Sequence, residues 1–264
     1  MKKFIFFLFS IALVALITTI PVSAKLRTST VEYKQGNTTL EGYLAYDDKV
    51  RGKRPGVLVV HAWKGIGEHE RQSARKLAKL GYVAFVADIY GKGIRPQNNQ
   101  EARTQATIYR SNRRLLRQRV QAGLRVLKQN RFTIDEKTAA IGYCFGGGAV
   151  LELARSGADV DGVVSFHGNL DTPNPKDANS IQGRVLVLHG ADDPLVPPEQ
   201  VQAFAKEMSD AKVDWELIMY GGAVHSFTNP DAGNDPSKGV AYNPKVDRRS
   251  WEAMKSFFAE IFQK

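Results

Sequence analysis

Residues 142–146 read Gly142-Tyr143-Cys144-Phe145-Gly146 and contain the only cysteine of the 264-residue chain. A β-rich run, Thr138–Tyr143, leads into this stretch, and a helical segment, Phe145–Arg155, follows it. A nucleophile on a sharp strand-to-helix turn, with glycines two positions before and after it, forms a nucleophile elbow. The helix N-terminus beside Cys144 favours a thiolate, because its partial positive charge stabilises an anion. The stretch therefore predicts a reactive cysteine, and the alternative is a buried structural thiol.

Outward from this turn, short apolar runs alternate with amphipathic segments. Short continuous apolar runs are typical of strands buried in a parallel sheet, and the alternation places helices on both faces of that sheet. We find no boundary in the composition, and we predict one α/β domain over residues 25–264. The predicted strands are Thr30–Tyr33, Thr39–Ala45, Gly56–Val60, Val83–Val86, Thr138–Tyr143, Val160–Phe166, Arg184–His189 and Val213–Tyr220. The predicted helices are Glu70–Leu80, Glu101–Gln129, Phe145–Arg155, Pro198–Ser209 and Arg248–Phe262.

Polar residues follow two of the later strands, at the edge where the functional loops of such a sheet lie. One strand runs into a loop with Asp192 and Asp193, and the next runs into a loop with His225. The chain order nucleophile, acid, histidine is that of a hydrolytic triad, whose acid holds the imidazole in the productive tautomer. We predict Cys144, Asp193 and His225 as catalytic residues, with Asp192 as the competing acid. His69 is expected to be exposed at a helix start.

Acyl transfer also requires two backbone N–H donors for the oxyanion. Where a nucleophile elbow is used, one donor belongs to the residue after the nucleophile and the other to a loop after an early strand. The first is the N–H of Phe145. The second falls in the loop His61-Ala62-Trp63-Lys64-Gly65, which follows the strand Gly56–Val60. We predict the N–H of Trp63 as the second donor.

Several motifs together resemble the dienelactone hydrolase family, from about Val31 to the C-terminus. The resemblance implies an α/β-hydrolase fold, a triad of Cys144, Asp193 and His225, and an oxyanion hole formed by Phe145 and Trp63. It also implies a small-molecule ester or lactone as substrate. The motifs are Gly142-Tyr143-Cys144-Phe145-Gly146-Gly147, Gly190-Ala191-Asp192-Asp193-Pro194-Leu195-Val196-Pro197, His225-Ser226-Phe227 and Ala87-Asp88-Ile89-Tyr90-Gly91.

The chain departs from the family pattern around the expected substrate. Members usually carry a glutamate, thought to restrain the cysteine, directly after the residue that matches His61, and this chain has Ala62 there. Two arginines that hold the substrate carboxylate correspond here to Gln105 and to Thr228–Asn229, which cannot form charged bidentate clamps. Dienelactone is therefore a poor expected substrate, and Cys144 is expected to rest as a thiolate paired with His225. The predicted pocket residues are His61, Ala62, Tyr109, His167 and Asn229.

Residues 1–24 read as a secretory signal peptide. Lys2 and Lys3 form the charged region, Phe4–Ile20 is apolar, and Val22-Ser23-Ala24 places small residues at a cleavage site. We predict cleavage after Ala24, a periplasmic or secreted protein, and no stable membrane anchor after cleavage. The alternative is an uncleaved anchor, since the apolar stretch nearly reaches the length that spans a bilayer. A single cysteine permits no intramolecular disulfide in that oxidising compartment.

The formal net charge is +10. Basic residues are scattered except for a run from Arg110 to Arg125, which we interpret as the solvated face of an amphipathic helix. The sequence contains no nucleic-acid-binding motif, no metal-ligand spacing and no dinucleotide fingerprint. We therefore predict no nucleic-acid partner, no metal and no cofactor. Separately from these motifs, we expect a monomer.

These observations predict an exported hydrolase of carboxylic esters or lactones that forms an acyl-enzyme on Cys144. Two alternatives stay open. A catalytically decayed binding protein is suggested by Ala62, because a hydrolase fold alone does not prove activity. A thiol redox protein is suggested by the thiolate itself, which would oxidise readily in an oxidising compartment and would need an external resolving thiol.

Overall fold

The computed structural model describes Met1 and residues 25–263, so the predicted signal peptide beyond Met1 lies outside the described residues. Within them, eight strands form one sheet in the order β1-β2-β4-β3-β5-β6-β7-β8. The strands are β1 (Leu26–Gln35), β2 (Thr38–Asp47), β3 (Arg54–Val60), β4 (Val83–Ala87), β5 (Thr133–Tyr143), β6 (Gly162–Phe166), β7 (Arg184–Gly190) and β8 (Trp215–Tyr220). The α-helices are α1 (Glu68–Lys79), α2 (Asn99–Ser111), α3 (Arg113–Lys128), α4 (Phe145–Arg155), α5 (Pro198–Asp210) and α6 (Pro244–Phe262).

The sheet is mostly parallel. β1 and β2 form an antiparallel hairpin, and β2 pairs antiparallel with β4. From β4 through β3 to β8 every pairing is parallel. The predicted α/β-hydrolase fold is confirmed, and the carboxyl ends of its parallel strands meet at one edge, where ligands bind in open sheets of this kind.

Alternate residues of the central strands pack against helices on opposite faces of the sheet. Leu58 and Val60 of β3 join the core cluster that contains residues of α3, α4 and α5. Val57 and Val59 join the cluster that contains residues of α1 and α6. All four side chains are fully buried, which is why this strand reads as a continuous apolar run rather than an alternating one. Each fully buried side chain of this kind contributes about 1.5–3 kcal/mol relative to an exposed one.

The helix predicted over Glu101–Gln129 is two helices, α2 and α3, which meet at Asn112. Asn112 leaves the helical region with φ −124° and ψ 78°, and its side chain accepts a hydrogen bond from the Leu115 N–H. Asparagine competes with the helix through its own side chain, so it ends one helix and caps the next. The single-helix prediction was wrong at this point because the apolar period continues across the break.

Several predicted boundaries were also displaced. β5 begins at Thr133 rather than at Thr138, and a register shift between Pro55 and Gly56 separates its early part from the rest of the β3 pairing. β6 and β8 each begin two residues later than predicted. α6 begins at Pro244, where the Asn243 side chain accepts a hydrogen bond from the Val246 N–H.

A buried ion cluster ties the helix after the nucleophile to the helix after the acid loop. Arg155 of α4 donates to both carboxylate oxygens of Glu207 on α5, at 2.8 Å each, and to Glu152 at 3.1 Å. Its guanidinium also donates to the Leu170 carbonyl at 3.0 Å. A bidentate pair of this kind fixes geometry, and removing one partner would leave a buried charge uncompensated.

Among the described residues, no helix is both long enough and apolar enough to cross a membrane.

Candidate active site

The turn that carries Cys144 is closed by two glycines whose side-chain positions are filled by backbone. A Cβ on Gly142 would lie 2.0 Å from the Gly146 carbonyl oxygen, and one on Gly146 would lie 2.2 Å from the Val60 carbonyl oxygen. Cys144 itself has φ 53°, a conformation rare for a residue with a side chain. The turn therefore presents the thiol at the carboxyl edge of the sheet and packs α4 directly against the end of β3.

The structure places Cys144, His225 and Asp193 in one hydrogen-bonded chain. His225 Nε2 lies 3.0 Å from Cys144 Sγ, and His225 Nδ1 lies 2.7 Å from Asp193 Oδ2. Asp193 is buried, and its other carboxylate oxygen accepts the Leu195 N–H at 2.8 Å. Asp192, the competing acid, is exposed and lies outside this chain of contacts.

The loop between β8 and α6 positions His225. The N–H of His225 donates to the Gly239 carbonyl at 3.2 Å, and its carbonyl accepts the Ala241 N–H at 3.1 Å. The following residue, Ser226, has φ 61°, so the chain turns sharply after the histidine. Because both backbone groups of His225 are bonded, the ring is held over Cys144 by a short strand-like bridge to residues 239–241.

The electrostatics favour a thiolate–imidazolium pair. Burial opposes ionisation of Cys144, but the charge and hydrogen bond of His225, the positive charge of Arg110 and the Phe145 N–H outweigh it and lower the thiol pKa. Burial likewise opposes protonation of His225, but Cys144 and Asp193 outweigh it and raise its pKa to about 10. The two shifts have one cause, since each charged group stabilises the other.

A cavity of about 810 Å³ opens over Cys144 and His225. Of the predicted pocket residues, Ala62 and Asn229 line it, together with Trp63. The structure corrects the placement of the other three, His61, Tyr109 and His167, which are buried behind the wall. The remaining residues on the wall include both acids and bases: Lys64, Glu68, His69, Glu70, Arg103, Arg110 and Asp231.

Tyr109 and His167, two of these buried residues, have hydrogen-bond partners within the protein. Tyr109 donates its hydroxyl to the Tyr90 carbonyl at 3.0 Å. His167 Nε2 lies 2.8 Å from the Thr228 hydroxyl, and its ring packs edge-on against the His225 ring at 5.4 Å. Burial and then the positive charge of His225 hold the pKa of His167 well below its usual value. His167 therefore stays neutral beside the charged triad histidine.

Glu70 is a buried carboxylate at the cavity that the sequence reasoning missed. Its two oxygens accept the Ala62 N–H at 3.1 Å and the Gly67 N–H at 2.8 Å. Burial raises its pKa, but the neighbouring His69 and these two N–H groups outweigh burial and lower it. A glutamate three residues after the helix cap is the one sequence signal that could have indicated it. A carboxylate from α1 therefore lines the cavity, although position 62 is an alanine.

The basic run from Arg110 to Arg125 is not simply a solvated face. Arg110 lines the cavity and donates to the Asn169 side chain. Arg117 bridges Glu152 and Asp177, and Arg119 is buried against the β1–β2 hairpin. His69, expected to be exposed, is largely buried and contacts the Thr228 carbonyl through Nε2 at 3.0 Å. The solvated-face interpretation was wrong for Arg119, and the expected exposure of His69 was wrong, because the partner of each residue lies far away in sequence.

Within the described residues, no group of three or more His, Cys, Asp and Glu side chains has a geometry suited to hold a metal ion.

The fold and site together define an α/β-hydrolase with a cysteine at the nucleophile elbow. A family model described as the dienelactone hydrolase family matches residues 40–262. The chain belongs to this family, which is a family of hydrolases that act on small molecules.

The similar proteins differ in how much is known of them. An uncharacterised protein of Caenorhabditis elegans is 38% identical over 154 residues, covering 56% of this chain and 94% of its own. A protein of Aquifex aeolicus provisionally named carboxymethylenebutenolidase is 28% identical, covering 86% and 96%. A dienelactone hydrolase-like promiscuous phosphotriesterase, P91, from metagenomic libraries has a solved structure with 40% identity and a TM-score of 0.86, covering 90% of this chain and 99% of its own.

Proposed function

We propose that the protein is an exported hydrolase of carboxylic esters or lactones that works through a thioester on Cys144. The observation that carries this proposal is the chain from Asp193 Oδ2 through His225 to Cys144 Sγ, with steps of 2.7 and 3.0 Å, at the floor of the cavity. A nucleophile, a base and an orienting acid in hydrogen-bond contact are the parts that acyl transfer requires.

In the first half of the reaction, Cys144 Sγ attacks the substrate carbonyl carbon. A C–S bond forms and the carbonyl electrons move to oxygen, where the N–H groups of Phe145 and Trp63 stabilise the negative charge. The C–O bond to the leaving group then breaks, and the departing alkoxide takes the proton from His225 Nε2. A lactone would keep its alcohol on the same molecule as the acyl group.

In the second half, water attacks the thioester carbon. His225 Nε2, now neutral, accepts the water proton, and the C–S bond breaks to return the thiolate. Asp193 accepts the Nδ1–H of His225 throughout, which keeps Nε2 directed at the reacting atoms and stabilises the imidazolium. The cycle ends in the thiolate–imidazolium state that the pKa shifts of the two residues favour.

The substrate proposal rests on the family and on the cavity wall. A relative carrying the name carboxymethylenebutenolidase supports lactones as substrates. Gln105 is not on the wall of this cavity, whereas Asn229 is. The substrate would therefore be held without arginines at the family's two usual positions, although Arg103 and Arg110 lie elsewhere on the wall. Dienelactone is accordingly expected to be hydrolysed poorly in an ester and lactone panel.

Export is a part of the proposal that a separate measurement tests. Removal of residues 1–24 would leave Lys25 as the first residue of a monomeric protein outside the cytoplasm. The full-length gene product should therefore be recovered from the periplasm or medium with an intact mass that starts at Lys25. Retention in the membrane with residues 1–24 attached would contradict cleavage and support the uncleaved anchor.

The activity is tested by steady-state hydrolysis of short p-nitrophenyl esters and of lactones, with Cys144→Ala and Ala62→Glu beside the wild type. We expect turnover by the wild type, none by Cys144→Ala, and a mass increase equal to the acyl group on the wild-type chain at early times. Absence of turnover across the panel would favour the decayed binding protein. Peroxide consumption faster than that of free cysteine, without ester turnover, would favour the redox protein.

A further inference from the structure

The loop that carries Trp63, the second proposed oxyanion donor, is held by Glu70, which lines the cavity, and by His61 and Tyr90, which do not. Ala62 is bonded on both of its backbone groups: its N–H donates to Glu70, and its carbonyl accepts from His61 Nδ1 at 2.7 Å and from the Gly65 N–H at 3.1 Å. The next carbonyl, of Trp63, accepts the Tyr90 hydroxyl at 2.9 Å. The backbone between these points therefore has little freedom to rotate.

The proton of His61 can be assigned from its partners. The Ile89 N–H donates to His61 Nε2 at 3.2 Å, so Nε2 carries no proton in the neutral ring. Burial, the largest influence, lowers the pKa of this fully buried histidine, which keeps the ring neutral. Nδ1 consequently carries the proton and donates it to the Ala62 carbonyl.

The geometry of the peptide bond converts this contact into an orientation. The Ala62 carbonyl and the Trp63 N–H belong to one planar trans peptide, so they point in opposite directions. A donor that holds the carbonyl on the protein side turns the N–H toward the cavity side. Among residues 25–263, the Trp63 N–H has no protein acceptor.

Phe145, the residue whose N–H is the first proposed oxyanion donor, lies against the same ring. The imidazole of His61 stacks on the Phe145 ring at 6.0 Å with an interplanar angle of 23°. The backbone of Gly146 lies so near the end of β3 that a Cβ there would be 2.7 Å from the His61 carbonyl oxygen. His61 therefore spans the two chain segments that must present N–H groups to one oxygen atom.

We infer that His61 and Tyr90 are positioning residues for the oxyanion hole, His61 holding the Ala62 carbonyl and Tyr90 the Trp63 carbonyl so that the Trp63 N–H faces the reacting carbonyl. This inference rests on the proposed hydrolysis. It goes beyond the triad, because it says that two side chains that do not touch the substrate hold the oxyanion hole in its active geometry before the substrate binds. A hole whose peptide is free to rotate loses the electrostatic preorganisation that acyl transfer uses.

Two substitutions at His61 separate positioning from packing. In His61→Asn the amide nitrogen stands level with Nδ1 and can still donate to the Ala62 carbonyl, but the Ile89 N–H loses its acceptor. In His61→Gln the amide group stands level with Nε2 and can still accept from Ile89, but the Ala62 carbonyl loses its donor. Glutamine also fills more of the imidazole volume than asparagine does. If His61 acts through packing, His61→Gln should be the more active variant; if it acts by positioning the Ala62 carbonyl, His61→Asn should be the more active one.

The readout compares two reactions of Cys144. Acylation by p-nitrophenyl acetate passes through an oxyanion and releases p-nitrophenolate, which is followed by stopped-flow absorbance. Alkylation by iodoacetamide displaces iodide from carbon and builds no oxyanion, so it reports only the thiolate and its accessibility. We expect acylation by His61→Gln to be at least about tenfold slower than by His61→Asn, since losing one such donor costs roughly 10²–10³ in rate. Alkylation should be equal in the two.

Tyr90→Phe keeps the ring and removes only the hydroxyl, so it decides the question if the His61 variants do not fold. It should lower acylation severalfold and leave alkylation unchanged. Equal acylation by His61→Asn and His61→Gln, or wild-type acylation by Tyr90→Phe, would overturn the inference while wild-type acylation upholds the proposed function. A wild type that is alkylated but never acylated would overturn both.

Discussion

Replacing His225 by glutamine should move the ionisation of Cys144 to higher pH. Glutamine keeps a polar side chain beside Sγ but carries no positive charge. In the wild type, the charge and hydrogen bond of His225 are the largest influences that oppose burial and lower the thiol pKa. Without them burial dominates, and a buried thiol ionises less readily than a free one.

The size of the effect follows from the ordinary ionisation of a thiol. With a pKa at or above the free value of about 8.5, no more than roughly 0.3% of the thiol is ionised at pH 6. Because the thiolate is the nucleophile, alkylation of His225→Gln should fall about 10²-fold or more between pH 8.5 and pH 6. The wild-type rate should fall less over the same interval, since the pKa of Cys144 is lowered there.

The stability that the thiolate–imidazolium pair contributes is lost at both ends of the pH range, but for different reasons. As pH falls through the lowered pKa of Cys144, the thiolate is protonated and both alkylation and the ion pair's contribution to stability are lost. As pH rises through about 10, His225 loses its proton and the pair is lost again, but the thiolate persists. Wild-type alkylation should therefore have a single acid limb and no decline near pH 10.

The assay is the second-order rate constant for iodoacetamide, measured by intact mass from pH 4.5 to 10.5 on wild type and His225→Gln. Circular dichroism at each pH confirms that both proteins remain folded. A wild-type profile with its midpoint near 8.5, the free-thiol value, would refute a resting thiolate. Coincident profiles for the two proteins would refute the role of His225 in forming it.

Three further substitutions, two of them paired with a control variant, test other parts of the site. Asp193→Asn should lower kcat by roughly 10²–10⁴-fold, because an amide can hold the imidazole in the wrong tautomer. The control Asp192→Asn, at the exposed neighbour, should leave kcat within about twofold of the wild type. Equal losses in the two variants would contradict the assignment of Asp193 as the acid. Gly146→Ala should lower the free energy of unfolding in urea by roughly 3 kcal/mol, because the new Cβ would meet the Val60 carbonyl. In the control Gly148→Ala the atom nearest to the new Cβ is 3.2 Å away, so the free energy of unfolding should change by less than about 1 kcal/mol. Arg110→Gln should shift the alkylation profile upward, less than His225→Gln because Arg110 is solvent-exposed, and molar salt should abolish the difference.

The parts of the site that could be predicted are those whose signals are local. Cys144 lies in a pentapeptide that combines a strand end, a helix start and two glycines with a steric function. Asp193 and His225 each follow a strand, and chain order restricts their roles. The choice between Asp193 and Asp192 was not local, since burial of one and exposure of the other depend on how the loop after β7 meets the loop after β8.

The parts that could not be predicted depend on partners distant in sequence. Arg117 fits the pattern of an amphipathic helix whether its side chain is solvated or ion-paired. Only the approach of Glu152 and Asp177, which are distant in sequence, brings it into an ion network. Asn112 interrupts a helix without interrupting the apolar period, because its side chain caps the next helix.

His61 shows most clearly why a residue type at a strand end is ambiguous. A histidine there can face the cavity or the protein, and a rotation of its side chain decides between a substrate contact and a structural one. The deciding partner is the Ile89 N–H, 28 residues further along the chain, which occupies Nε2 and leaves Nδ1 for the Ala62 carbonyl. That choice removes His61 from the pocket and gives it control over the direction of the Trp63 N–H. His61, which the sequence predicted to bind substrate, thus acts on the reaction through its hydrogen bond to the Ala62–Trp63 peptide.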